Sequence, residues 1–87
     1  MTNRKVIPIP TNAPKPDEVF RHYKGDLYKI VGVALNSWNA QAGKDEWIVV
    51  YEPMYEGAAA QLFTRPLIEW SEMVAWEGRQ VYRFEKI

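Results

Sequence analysis

His22 is the single histidine of the chain, and it lies in the stretch FRHYKGDLY (Phe20–Tyr28) beside Arg21, Tyr23 and Lys24. An imidazole changes charge near neutral pH and both donates and accepts hydrogen bonds, so this cluster has the makings of a site. Proton-transfer chemistry would need more. A nucleophilic triad requires a hydroxyl held by its base. The only serines are Ser37, in a polar loop, and Ser71, in a predicted helical turn, and no G-x-S-x-G elbow is present. Glu69 and Glu72 have the spacing of a carboxylate pair on one helix face, but the favoured reading is an ordinary solvated face. With no cysteine, thiolate, redox and disulfide chemistry are excluded. One histidine is a poor supply for zinc or copper, and the five glycines are scattered singly, so no phosphate-cradling loop exists. The expectation is no catalytic residue, no metal and no cofactor. A small hydrolase pairing His22 with carboxylates is the least favoured alternative.

A second constellation suits binding better. Tyrosine offers a flat apolar face with a hydroxyl, and arginine a planar fork for carboxylate or phosphate. We expect His22, Tyr23, Tyr51, Tyr55 and Arg65 to line one aromatic groove of a non-catalytic binding or interaction module, with a peptide, protein or small molecule as partner. RNA or single-stranded nucleic acid is the alternative, with rings stacking bases and Arg21, Lys24 and Lys29 meeting phosphate. Against it, eleven basic residues balance eleven acidic ones, and proteins that track phosphate backbones normally carry a basic excess. The bland reading is packing: four Trp, five Tyr and three Phe must fill the core of a chain of 87 residues. Trp38, set in a polar loop, either folds back over the domain or waits for a partner.

These side chains need a scaffold. A chain this short buries only roughly 60% of its unfolded surface, so its core depends on large rings. Residues 1–17 hold Pro8, Pro10, Pro14 and Pro16 and read as an extended or disordered arm, of which Val6 to Ile9 is the part able to dock. Residues 18–87 form the folded unit, and its pattern is β. Val19 to Tyr23 and Leu27 to Leu35 flank a Lys24-Gly25-Asp26 turn, with Phe20 and His22 on one face and Arg21 and Tyr23 on the other. Gly32 inside the long strand marks a bulge or corner. Glu46 to Glu52 sets Trp47, Val49 and Tyr51 on one face, and its two apolar faces make it central. Gln61 to Arg65 is a short strand, and Pro66 opens a helical or 3-10 turn whose Leu67, Trp70, Met73 and Val74 would cap the core. Val74 to Trp76 and Arg79 to Phe84 then flank Glu77-Gly78, a second hairpin signal. The predicted fold is all-β: a small SH3-like barrel of about five to six short strands, with one helical turn before the last hairpin.

At this level the chain resembles a family. RHYKG followed by Tyr28 and IVGVA, VVY at Val49–Tyr51, RP at Arg65–Pro66 and G..VYRFE from Gly78 to Glu85 are similar to the bacterial domain-of-unknown-function family 1653. The likeness covers residues 20 to 85, and its specificity lies in the order of the separated motifs. It implies a compact, mostly β, stand-alone bacterial protein with no established activity. Two segments depart from the family pattern: MYEGAAAQLF, where Glu56 intervenes between tyrosine and glycine, and the longer loop NSWNAQAGKDEW with Trp38. The proline-rich arm lies outside it.

The longest apolar run, Ile30 to Leu35, is too short to span a bilayer, and the N-terminus lacks a signal-peptide core. With the absence of cysteine, this points to a cytoplasmic protein without membrane partners. An exposed strand edge or the arm could form a homodimer.

Overall fold

The computed structural model describes residues 8–38, 46–55, 57 and 61–87. The first hairpin joins β1 (Val19–His22) to β2 (Leu27–Leu35), with Phe20 opposite Tyr28 and Arg21 opposite Leu27. Its loop is closed by the Gly25 amide donating to the His22 carbonyl at 2.7 Å and the His22 amide to the Asp26 carbonyl at 2.8 Å. Gly25 sits at φ 115°, a conformation that side chains with a Cβ rarely adopt, so glycine is what the turn needs. Beyond Ile30 the register with β3 (Trp47–Pro53) slips by one residue before Gly32, as the lone strand glycine suggested.

β3 is central, between β2 and β4 (Phe63–Pro66). Directly opposed residues share a face, so Val49 carries Arg65 beside it and Tyr51 carries Phe63. That face holds the core: Ile30 and Val49 are fully enclosed, and Tyr51, Leu67, Trp70 and Phe84 are buried around them. α1 (Leu67–Trp70) follows at once and packs on β3 and β4 through Leu67 and Trp70. The predicted helical turn is present but shorter than its apolar spacing suggested. Met73 and Val74 leave it for β5 (Met73–Trp76), and Met73 is exposed.

The closed barrel is replaced by two open sheets. Among the described residues, seven strands form a five-stranded antiparallel sheet, ordered β4-β3-β2-β1-β7, and a separate β5-β6 ladder. The expected last strand, Arg79 to Phe84, breaks at Arg83. Its amide donates to the Glu72 carbonyl at 3.0 Å and its Nε to the Glu69 carbonyl at 3.2 Å. β6 (Arg79–Tyr82) therefore stays with β5, and β7 (Phe84–Lys86) crosses to pair with β1. Among the described residues no ladder joins the sheet edges β4 and β7. Side chains bridge them instead: Trp70 stacks on Phe84 with centroids 3.7 Å apart, and the Arg65 guanidinium lies 5.7 Å from the same ring. Rings of this size fill the gap that ladder closure would have removed.

Of the arm, Pro14 is buried, Ala13 packs against the core, and the Asp17 amide donates to the Ile30 carbonyl at 2.9 Å. Ile9 is exposed, and Val6 and Ile7 lie outside the described residues. Glu18 joins both ends of the fold: its carboxylate accepts from the Lys15 amide and pairs with Lys86, each at 2.8 Å. These contacts hold its carboxyl below the usual glutamate range.

Candidate functional site

The alternation of β1 turns Phe20 and His22 inward, as expected for a strand. Phe20 meets Trp70 edge-to-face, and His22 meets Phe84 at 5.1 Å and Tyr28 at 6.5 Å. His22 Nδ1 accepts the Lys24 amide at 3.2 Å. In the neutral ring that leaves the proton on Nε2. Partial burial pushes the imidazole below its usual pKa, and the cationic Arg65, Lys24 and Arg83 add to this, while Asp26 opposes it. His22 is thus a neutral, packed ring at pH 7.

Tyr23 follows the strand and opens outward. Its ring lies 4.4 Å from His22 and 5.1 Å from Trp76, tilted 70° to the indole. Trp76 comes from the second hairpin, where the turn at Glu77 (φ 49°) and Gly78 (φ 78°) sets it directly opposite Arg79. Positive φ at both turn residues is the type I′ geometry that matches strand twist. Between the hairpin and β1–β7 lies a groove of about 230 Å³, lined by Tyr23, Trp76 and Tyr82 and bordered by His22. Arg21, Arg79, Glu77 and Glu85 rim it, together with Val81. None of these four charged side chains makes an ion pair among the described residues.

The five residues singled out from the sequence are therefore divided. His22 and Tyr23 line the groove. Tyr51 is only 5% exposed and belongs to the core, in contact with Tyr28, Phe63, Trp70 and Phe84. Tyr55 is exposed beside Tyr28, at 6.3 Å. Arg65 reaches Glu69 at 3.5 Å, one turn on, and its buried Nε has no hydrogen-bond partner. Tyr28 and Phe84 link the divided set through ring contacts on both sides. Burial raises the Tyr28 hydroxyl above its usual pKa, with Asp26 adding to it. The rest of the aromatic lining comes from Trp76, in contact with Tyr23, and from Tyr82, which sequence reasoning missed as site residues. The signal was present in Trp-Glu-Gly-Arg, since a two-residue turn forces its flanking residues to face each other. Trp38 is 84% exposed, its amide donating to Asn36 Oδ1 at 3.1 Å. Most of its loop, and Glu56, lie outside the described residues. Among the described residues, no cluster of three or more His, Asp or Glu side chains could hold a metal ion, and no helix is long and apolar enough to cross a membrane.

No curated protein matches this chain. Among solved structures it is similar to a crystal structure of a DUF1653 protein from Bordetella bronchiseptica, with 33% identity and a TM-score of 0.71 over 87% of this chain and 88% of that one. The family model described as "Protein of unknown function (DUF1653)" matches residues 18–86, which hold every strand and both hairpins described above. The chain belongs to the DUF1653 family.

Proposed function

We propose that this protein is a non-catalytic binding module that seats a peptide, protein segment or small molecule in the groove between β1 and the β5–β6 hairpin. The observation that carries the reading is the groove's composition. Tyr23, Trp76 and Tyr82 line one hollow, the Tyr23 and Trp76 rings meeting at 5.1 Å, and the charged side chains at its rim have no ion-pair partner among the described residues. Rings supply contact area at low conformational cost, and free arginine and glutamate groups supply orientation. His22 packs against Tyr23 and takes no part in proton transfer. The domain comprises the β unit from residue 18, with the arm as an appendage, and works in the cytoplasm.

The test is an NMR titration of the ¹⁵N-labelled chain with a fragment library. The expected result is a concerted shift of the Tyr23, Trp76 and Tyr82 signals, including the Trp76 indole N–H, abolished by Trp76→Ala. Shifts scattered over unrelated surfaces, or confined to Tyr55 and Trp38, would sink the reading. Nucleic acid is tested in parallel with a single-stranded RNA oligomer. An affinity that falls steeply with salt would replace this proposal with the RNA one, against the expectation from zero net charge.

A further inference from the structure

β7 is the outermost strand on its side of the five-stranded sheet. On its inner side, the Tyr23 amide donates to the Arg83 carbonyl and the Ile87 amide to the Val19 carbonyl, both at 3.0 Å, with Arg21 opposite Glu85 between them. Antiparallel alternation then sends the N–H and C=O groups of Phe84 and Lys86 away from β1. No backbone hydrogen bond among the described residues uses them.

The surroundings of this edge are unusual. The groove described above lies on the Arg21 and Glu85 face of the sheet. On the Phe20 and Phe84 face lies a second hollow of about 410 Å³, lined by Phe20, Trp70, Phe84 and Lys86. Tyr82 and Glu85 border both. A bare strand edge thus runs between two hollows on opposite faces. A strand added to a sheet edge gains main-chain hydrogen bonds and sends its side chains alternately to the two faces.

We infer that β7 is a strand-addition site, and that its occupant is an extended peptide segment of a partner protein that alternates apolar with charged residues. This rests on the binding reading above and specifies its mode. Apolar residues of the segment would enter the Phe20–Trp70–Phe84 hollow, and charged ones would meet Arg21, Arg79 and Glu85. A second copy of this chain is the wrong occupant. Two-fold antiparallel pairing centred on Glu85 or on Lys86 sets like charges directly opposite, which is destabilising. Centring it on Phe84 makes Tyr82 the partner of Lys86, but Tyr82 belongs to β6, in the other sheet and across the break at Arg83.

The experiment selects binders to the full chain from a random-peptide phage library and then measures each peptide with alternate amides N-methylated. Selected peptides should alternate apolar and charged residues. Methylating the set that faces β7 should cost about tenfold in affinity per blocked bond, and methylating the other set should leave it nearly unchanged. Amide exchange at Phe84 and Lys86 should slow on peptide binding. If peptides bind and Trp76→Ala abolishes binding, yet both methylated sets behave alike and those amides are unprotected, strand addition is overturned while the groove reading survives. Failure to select any peptide also overturns it, and the fragment titration then judges the groove separately. A dimer with Phe84 and Lys86 amides protected in the absence of peptide would assign the edge to a second copy and end the proposal.

Discussion

His22 shows how little a residue type decides by itself. Its ring is packed on Phe84 and Tyr28, its Nδ1 is committed to the Lys24 amide, and three cations lie within electrostatic reach. Burial and those cations favour the neutral form in the folded state, so the folded chain binds a proton at His22 less readily than the unfolded chain. Stability from this group is fully present above the ordinary histidine value of 6.5, falls as pH drops below it, and levels off beneath the folded pKa. Denaturant midpoints measured across that window should decline with acid in the wild type. His22→Asn keeps an acceptor for the Lys24 amide and should flatten the decline. An unchanged slope in the variant would show that another group is responsible.

At the scale of elements, the two hairpins use glycine in different ways. Gly25 resolves a single positive φ in the first loop, whereas the second turn puts both Glu77 and Gly78 in the left-handed region. A side chain with a Cβ pays about 1 kcal/mol or more there, and asparagine tolerates the conformation better than glutamate. Glu77→Asn is therefore expected to raise the thermal midpoint, by roughly 0.5–1 kcal/mol of stability. Gly78→Ala should lower stability by about 1 kcal/mol or more through strain alone, since open space surrounds the position. Thermal melts of both variants check this. A neutral Gly78→Ala would mean the turn has another conformation. Because this turn sets Trp76 against Arg79, Gly78→Ala should also disorder the groove wall.

The whole molecule is an open sheet whose two edges are joined by rings. Phe84 is the keystone: it touches Trp70, Tyr28, Tyr51 and His22 and lies under Arg65. Phe84→Ala should cost about 3–5 kcal/mol, a large share of what a small domain has in hand. Trp38→Ala, at an 84% exposed position, should cost almost nothing. Chemical denaturation of the two variants separates them, and similar losses would contradict the packing described here.

Much of this was legible in the sequence. Period-two alternation placed Phe20 and His22 on one face and Trp47, Val49 and Tyr51 on another. The glycines located both turns and the bulge, and the order of motifs pointed to the family. These are local properties, set by backbone sterics and by the pleat of a strand over a few residues. Three things were decided only by tertiary structure. Arg83 is held by Glu69 and Glu72, so the last strand divides and the barrel stays open. Tyr51 goes into the core because β3 is covered by α1 and by Phe84. The groove at Tyr23 exists because Trp76 is carried to it by a hairpin 53 residues further along the chain. Each depends on contacts between distant segments, where competing arrangements differ by packing, and packing is not written in any local pattern.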